Sequence, residues 1–191
     1  MKLLMLIGLV VVMTCMSGCK QKMKWKEQVW LGEGRFVEVK RQAVGRLDFP
    51  NSSSIVTLHQ EFRYEPLQVL WEREGAVQVK SFYIDGNDAY LVTTAWEGRA
   101  KFCMWRRKGD FLLNVLRWRN GKMQEIDQSE APLEKMRMNL SGDAHWILHN
   151  DGRGGQYLSW KEVADLTRQW EEQPPSLVLD FYTRTPNLSC K

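Results

Sequence analysis

The residues that could do chemistry are few, and most are badly spaced for it. The chain has 3 histidines: His59, His145 and His149. His145 and His149 have the four-residue spacing with which a helix presents two zinc ligands, yet no glutamate follows His145 to serve as a base. The stretch His145-Trp146-Ile147-Leu148-His149 reads as a strand. Residues four apart on a strand lie about 13 Å from each other, too far to share one ion. Asp143 and Asp151 could add carboxylates to such a site, but solvated strand-end histidines are the plainer expectation. Asp85-Gly86-Asn87-Asp88 lacks the spaced ligands and closing glutamate of a calcium loop. Asp151-Gly152-Arg153-Gly154-Gly155 lacks the lysine and serine of a phosphate loop, so Arg153 and nearby amides could at most hold a carboxylate or phosphate. No Gly-x-Ser-x-Gly elbow occurs, and no Ser-x-x-Lys stands with the partner motifs of penicillin-binding enzymes. A glycosidase's carboxylate pair needs no motif, but nothing marks one. The expectation is a non-enzyme with no catalytic residue, no metal and no cofactor.

Tryptophan is the unusual residue, with 9 in the chain. Trp71, Trp96, Trp105 and Trp118 fall in expected strands, where large rings fill sheet faces. Tryptophan and arginine are also the residues most enriched at binding hot spots. Trp105-Arg106-Arg107-Lys108 and Arg117-Trp118-Arg119 flank one expected hairpin turn, so their side chains should meet across the pair. Trp105, Arg106, Arg107, Arg117, Trp118 and Arg119 are therefore the candidate partner-binding patch. The competing reading is a solvated strand end with routine charges.

Short apolar or alternating runs broken by glycine turns must position these residues. Leu67–Glu72, Ala76–Ile84, Ala89–Trp96, Ala100–Arg107, Phe111–Arg119 and Lys122–Ile126 are separated by turn signals that include Asp-Gly and Asn-Gly, the strongest hairpin turns. Strands joined so tightly are expected to be antiparallel neighbours, a meander. Phe111–Arg119 is apolar enough for a strand buried on both faces. Earlier strands are expected at Arg35–Arg41 and Ile55–Tyr64. Ser159-Trp160-Lys161-Glu162 fits a capping box opening a helix, with Trp160, Val163, Ala164, Thr167 and Trp170 on one face and Pro174-Pro175 beyond it. Glu130–Leu140 offers a weaker helical pattern, and Leu177–Tyr182 a last strand. The fold class is α+β: an antiparallel β-meander forming a curved sheet, with one C-terminal amphipathic helix packed on it.

The amino terminus carries a different kind of signal. Lys2 precedes an apolar run from Leu3 to Met13, about the length of a secretory signal and too short to span a bilayer. The run ends in Met16-Ser17-Gly18-Cys19, which resembles the lipobox of bacterial lipoproteins. The resemblance covers residues 1–19 only. It implies acylation of the Cys19 thiol, cleavage before it, and a mature chain held at a membrane by two or more lipid chains, palmitate among them. In that family an aspartate after the cysteine retains the protein at the inner membrane. Here the residue is Lys20, which implies the outer membrane, facing the periplasm. Small residues at 17 and 18 suit a narrow peptidase cleft, and a thiolate is the nucleophile such a transfer needs. Cys15, the rival, follows the β-branched Thr14.

The expected organisation is thus a signal peptide at 1–18, a lysine-rich tether at 19–28 and a single domain at 29–191. Lys20, Lys22, Lys24 and Lys26 alternate along the tether. They would either touch anionic lipid or keep a solvated linker extended. Of the 4 cysteines, Cys103 and Cys190 remain once Cys15 and Cys19 are assigned. An oxidising compartment favours pairing them, worth roughly 4–5 kcal/mol for so long a loop; otherwise Cys103 is a small core residue. A net charge of +4 is too small to argue for nucleic acid. The expected function is protein binding at the envelope, as an accessory factor or an immunity-type inhibitor of a periplasmic toxin. The alternative is a carrier of lipid or another apolar ligand in a sheet-enclosed cavity.

Overall fold

The computed structural model describes residues 20–47, 55–75, 77–94, 113–141, 152 and 157–167. Strand β1 (Gln21–Gly32) opens a first sheet and pairs antiparallel with β2 (Arg35–Leu47), which pairs with β3 (Ile55–Tyr64) and that with β4 (Val69–Glu74). A two-residue strand, β9 (Tyr157–Leu158), lies parallel on the free side of β1. The second sheet runs in chain order: β5 (Val79–Asp85), β6 (Asp88–Thr94), β7 (Leu113–Arg119) and β8 (Lys122–Ile126). One helix, α1 (Trp160–Thr167), follows β9. Among the described residues the coarse expectation, mostly antiparallel strands with a helix, holds.

Two expectations need correction. From Gln21 onward the stretch read as a tether is strand β1, paired with β2 along almost its whole length. Its physical basis is alternation: Met23, Trp25 and Val29 turn inward while Lys22, Lys24 and Lys26 turn to solvent. That is the period-2 pattern of a half-buried strand. The second correction concerns the meander, which divides in two. The turn signal at Glu74-Gly75 does not make a hairpin. Gly75 has φ +89°, a conformation open mainly to glycine. There the chain leaves β4 and crosses to the other sheet, where the Thr94 amide donates to Gln78 O at 2.8 Å.

Two of the other expected turns are described and are hairpins; the turns at Glu97-Gly98 and Lys108-Gly109-Asp110, with the expected strand Ala100–Arg107 between them, lie outside the described residues. Asp85 pairs with Asp88, and Arg119 with Lys122 around Asn120-Gly121. Asn120 and Gly121 have φ +52° and +77°, the left-handed pair that a two-residue hairpin requires.

The two sheets share one core. Val29, Val39 and Phe62 of the first pack with Val79, Phe82 and Leu91 of the second. The Phe62 and Phe82 rings are tilted with centroids 4.9 Å apart. Each such buried ring contributes about 1.5–3 kcal/mol relative to leaving it in water. The other face of the second sheet is covered as well. Tyr90, Val92, Leu113 and Val115 lie under Leu133 and Met136, so β7 is buried on both faces as its composition predicts.

That cover is the stretch read as a weak helix, 130–140. From Gln128 it holds two short 3-10 turns, Gln128–Glu130 and Leu133–Lys135, joined through Ala131 and Pro132. Leu133, Met136 and Leu140 keep a helix-like spacing and are buried, but the backbone is needed elsewhere. Leu140 N donates to Lys80 O at 3.3 Å, along the side of β5. At α1 the expected capping box forms: the Glu162 amide donates to Ser159 Oγ at 3.3 Å, and Ser159 N donates to Glu162 Oε2 at 2.8 Å. Val163 is buried with Trp25, Ala43 and Leu158.

Candidate functional site

The outer face of the first sheet is where the lysines of β1 arrive. Pairing register places them at the head of three rows running toward β4. Lys22, Val44, His59 and Glu74 form one row; Lys24, Gln42, Glu61 and Glu72 the next; Lys26, Lys40, Arg63 and Leu70 the third. A shallow depression of about 480 Å³ opens among Lys24, Lys26, Lys40, Glu61, Arg63 and Glu65.

Much of this charge is spent locally. Lys26 Nζ lies 2.8 Å from Glu38 Oε1, Lys40 pairs with Glu65 at 2.5 Å, and Arg63 pairs with Glu61. Accepting from Arg63 holds the Glu61 carboxyl below its ordinary value, and accepting from Lys40 does the same for Glu65. The hydrogen bond to Glu38 raises Lys26. Such exposed pairs are worth little individually, but they leave a pattern. Lys20, Lys22, Lys24 and Arg46 make no salt bridge among the described residues.

At the far end of the same face sits an aromatic cluster. Trp30 of β1 stacks on Trp160, with centroids 6.3 Å apart and planes at 26°. Phe36 of β2, 42% exposed, tilts against Trp160 at 6.3 Å. Trp160 N donates to Gln28 Oε1 at 2.9 Å, so helix α1 begins against this edge. Tyr157, 44% exposed, stands beside Lys26 in the pairing of β9. At about 3.3 Å per residue, Trp30 lies about 30 Å along β1 from Gln21.

Beneath this face a buried polar knot holds β1 and β2 in register. Glu27 is 0% exposed and Arg41 3%. Arg41 Nη1 donates to Glu27 Oε2 at 2.9 Å and to Ser141 O at 2.8 Å. Ser141 N donates to Glu27 Oε1 at 2.8 Å, and Trp25 Nε1 to Oε2 at 3.4 Å. The Arg41 guanidinium also lies 4.9 Å from the centre of the Trp25 ring, a cation–π contact. A buried carboxylate requires such partners.

Comparison with family models, with curated proteins and with solved structures finds no match.

The expected binding patch is only half described. Trp118 turns inward, donating from Nε1 to Leu67 O at 3.0 Å and packing on the main core. Arg119 Nε donates to Asp88 Oδ1 at 2.7 Å, and Arg117 lies 3.6 Å from Glu130. Trp105, Arg106 and Arg107 lie outside the described residues, as do Cys19, Cys103, Cys190, His145, His149 and the stretch 177–182. His59 stands beside Glu74, Nδ1 to Oε1 3.3 Å. Sequence reasoning missed Trp30, Phe36 and Trp160 as a group, because strands β1, β2 and a helix bring them together over long separations. It also missed Glu27, whose position among inward-facing Trp25 and Val29 was the available signal.

Proposed function

We propose that this chain is an envelope lipoprotein, acylated at Cys19, whose domain binds a protein partner in the periplasm without catalysis. The observation that carries the binding reading is the Trp30–Phe36–Trp160 cluster. Its rings are partly exposed, they sit at a sheet edge beside paired charges, and they lie about 30 Å along β1 from the anchoring end. Rigid aromatic groups with polar neighbours are the usual anchors of a protein interface. An envelope assembly factor and a toxin to be neutralised are both partners of this kind.

Acylation at Cys19 would place the lipid two residues before β1 begins. A lipid there would hold the first sheet at the membrane without a linker, with the aromatic end projecting from it. A carrier would need a cavity enclosed by a curved sheet. Among the described residues, Phe62, Phe82, Tyr64 and Trp71 pack together between the two sheets, which favours the binding reading.

The test is a photo-crosslinking residue placed at Phe36 in cells, with Glu125 of β8 as the control position. A discrete protein adduct from Phe36 that disappears in W160A is the expected result. Equal or absent adducts at both positions would remove the reading.

A further inference from the structure

We propose that the corner of the first sheet's outer face where β1 begins is a contact surface for anionic lipid headgroups, and that the charge gradient from this corner to β4 sets the domain's orientation on the bilayer. The proposal takes its geometry from the anchoring at Cys19. Its charge argument stands on separate observations.

The first observation is where the cations without a salt bridge lie. Lys22 and Lys24 point outward from β1, Lys20 is exposed just before it, and Arg46 is exposed near the end of the adjacent β2. Gln21 pairs with Gly45, so Arg46 lies next to the start of β1. None of the four makes a salt bridge among the described residues. Farther up the face the cations Lys26, Lys40 and Arg63 each have a carboxylate partner. The net positive charge is thus concentrated at the one corner where a lipid on Cys19 would enter the membrane.

The second observation is the opposite sign across the sheet. In register with Lys24 and Lys22, the outer edge of β4 carries Glu72 and Glu74. An anionic surface attracts the β1 side and repels the β4 side. Lying down on β4 would bring carboxylates against phosphates. Because β1 is strand and not linker, the lysines cannot turn independently of the sheet, so their attraction acts on the whole domain. Charges within a Debye length of the bilayer act together. The occupant that matches a row of ammonium groups beside an acyl anchor is a bilayer bearing acidic headgroups.

The test uses the full processed chain on vesicles of phosphatidylcholine alone and on vesicles mixed with phosphatidylglycerol. Lysine acylation by a water-soluble reagent is read residue by residue, with Lys122 and Lys135 as references. Lys22 and Lys24 are expected to label roughly fivefold more slowly on the anionic vesicles, each lysine gaining a contact of the usual strength. Lys122 and Lys135 should not change, and high salt should erase the difference. Equal labelling on both vesicles, or protection of Lys122 and Lys135 instead, would overturn the proposal. A chain that neutral vesicles fail to retain would count against acylation at Cys19 alone. The headgroup contact is then read by comparing the same lysines on anionic vesicles and in buffer, where no protection would overturn it.

Discussion

Arg41 Nη1 lies 2.9 Å from Glu27 Oε2, and both side chains are sealed from solvent between the two halves of the first sheet's inner face. Above them Val29 and Val39 pack on the second sheet, and below them Trp25 and Ala43 pack on α1. The pair ties these cores together through Ser141.

Removing one partner strands the other. E27A or R41A is expected to lower stability by about 3–5 kcal/mol, the usual cost of an uncompensated buried charge. The double variant E27A/R41A should lose much less than the sum. Urea unfolding midpoints of the four proteins form the double-mutant cycle. Additive losses would show that the two side chains act separately.

Asn139 joins the two sheets as a peptide group would. Its Nδ2 donates to Trp30 O and to Phe82 O, both at 2.7 Å, and its Oδ1 accepts from Phe82 N at 2.9 Å. N139A leaves one buried donor and two acceptors unmatched, at an expected cost of about 2–4 kcal/mol. N139D should be worse, since a carboxylate would face two carbonyl oxygens with no donor between them. Thermal denaturation ranks the variants. An N139D protein as stable as wild type would contradict the bridge.

Gly45 sits at the bulge where β2 passes β3. A Cβ there would collide with Ile55 Cγ2 and come within 3.1 Å of Val56 O. G45A is expected to destabilise by about 1–3 kcal/mol through overpacking. Pairing it with I55A should restore part of the loss, measured again by urea midpoint.

Acid should weaken the second sheet at the Asp88–Arg119 pair. The guanidinium hydrogen bond holds the Asp88 carboxyl below its ordinary value, which is near 3.9 in an unfolded chain. The folded state therefore binds this proton less readily. The pair's contribution is complete above about pH 3.9 and is lost as pH falls through the lower folded value. D88N should be less stable than wild type at neutral pH, and the gap should narrow on acidification. Glu61 and Glu65 are shifted in the same sense, so part of the acid loss should persist in D88N. A gap independent of pH would contradict this.

Local signals in the sequence were reliable where structure is local. Strand β3 has the expected bounds Ile55–Tyr64, the hairpins at Asp85–Asp88 and Asn120-Gly121 form, and Ser159 with Glu162 caps α1. What the sequence hides is which strand meets which. A glycine turn of the same appearance makes a hairpin at Gly121 and a change of sheet at Gly75, because only distant partners decide. Strand β1 is hidden for another reason. Lysine-rich composition suggests a solvated linker, while the alternate inward residues include Glu27, which breaks the apolar series. The carboxylate is tolerated because Arg41 and Ser141 reach it from far along the chain. The aromatic cluster is likewise invisible in sequence, since Trp160 joins Trp30 and Phe36 only after β9 docks on β1.

The anchoring at Cys19 is tested most directly by mass spectrometry of the amino-terminal peptide of the chain recovered from a bacterial envelope. The account predicts a peptide beginning at Cys19 and carrying a diacylglyceryl group on sulfur. A peptide with a bare Cys19, or one that still begins at Met1, would contradict it.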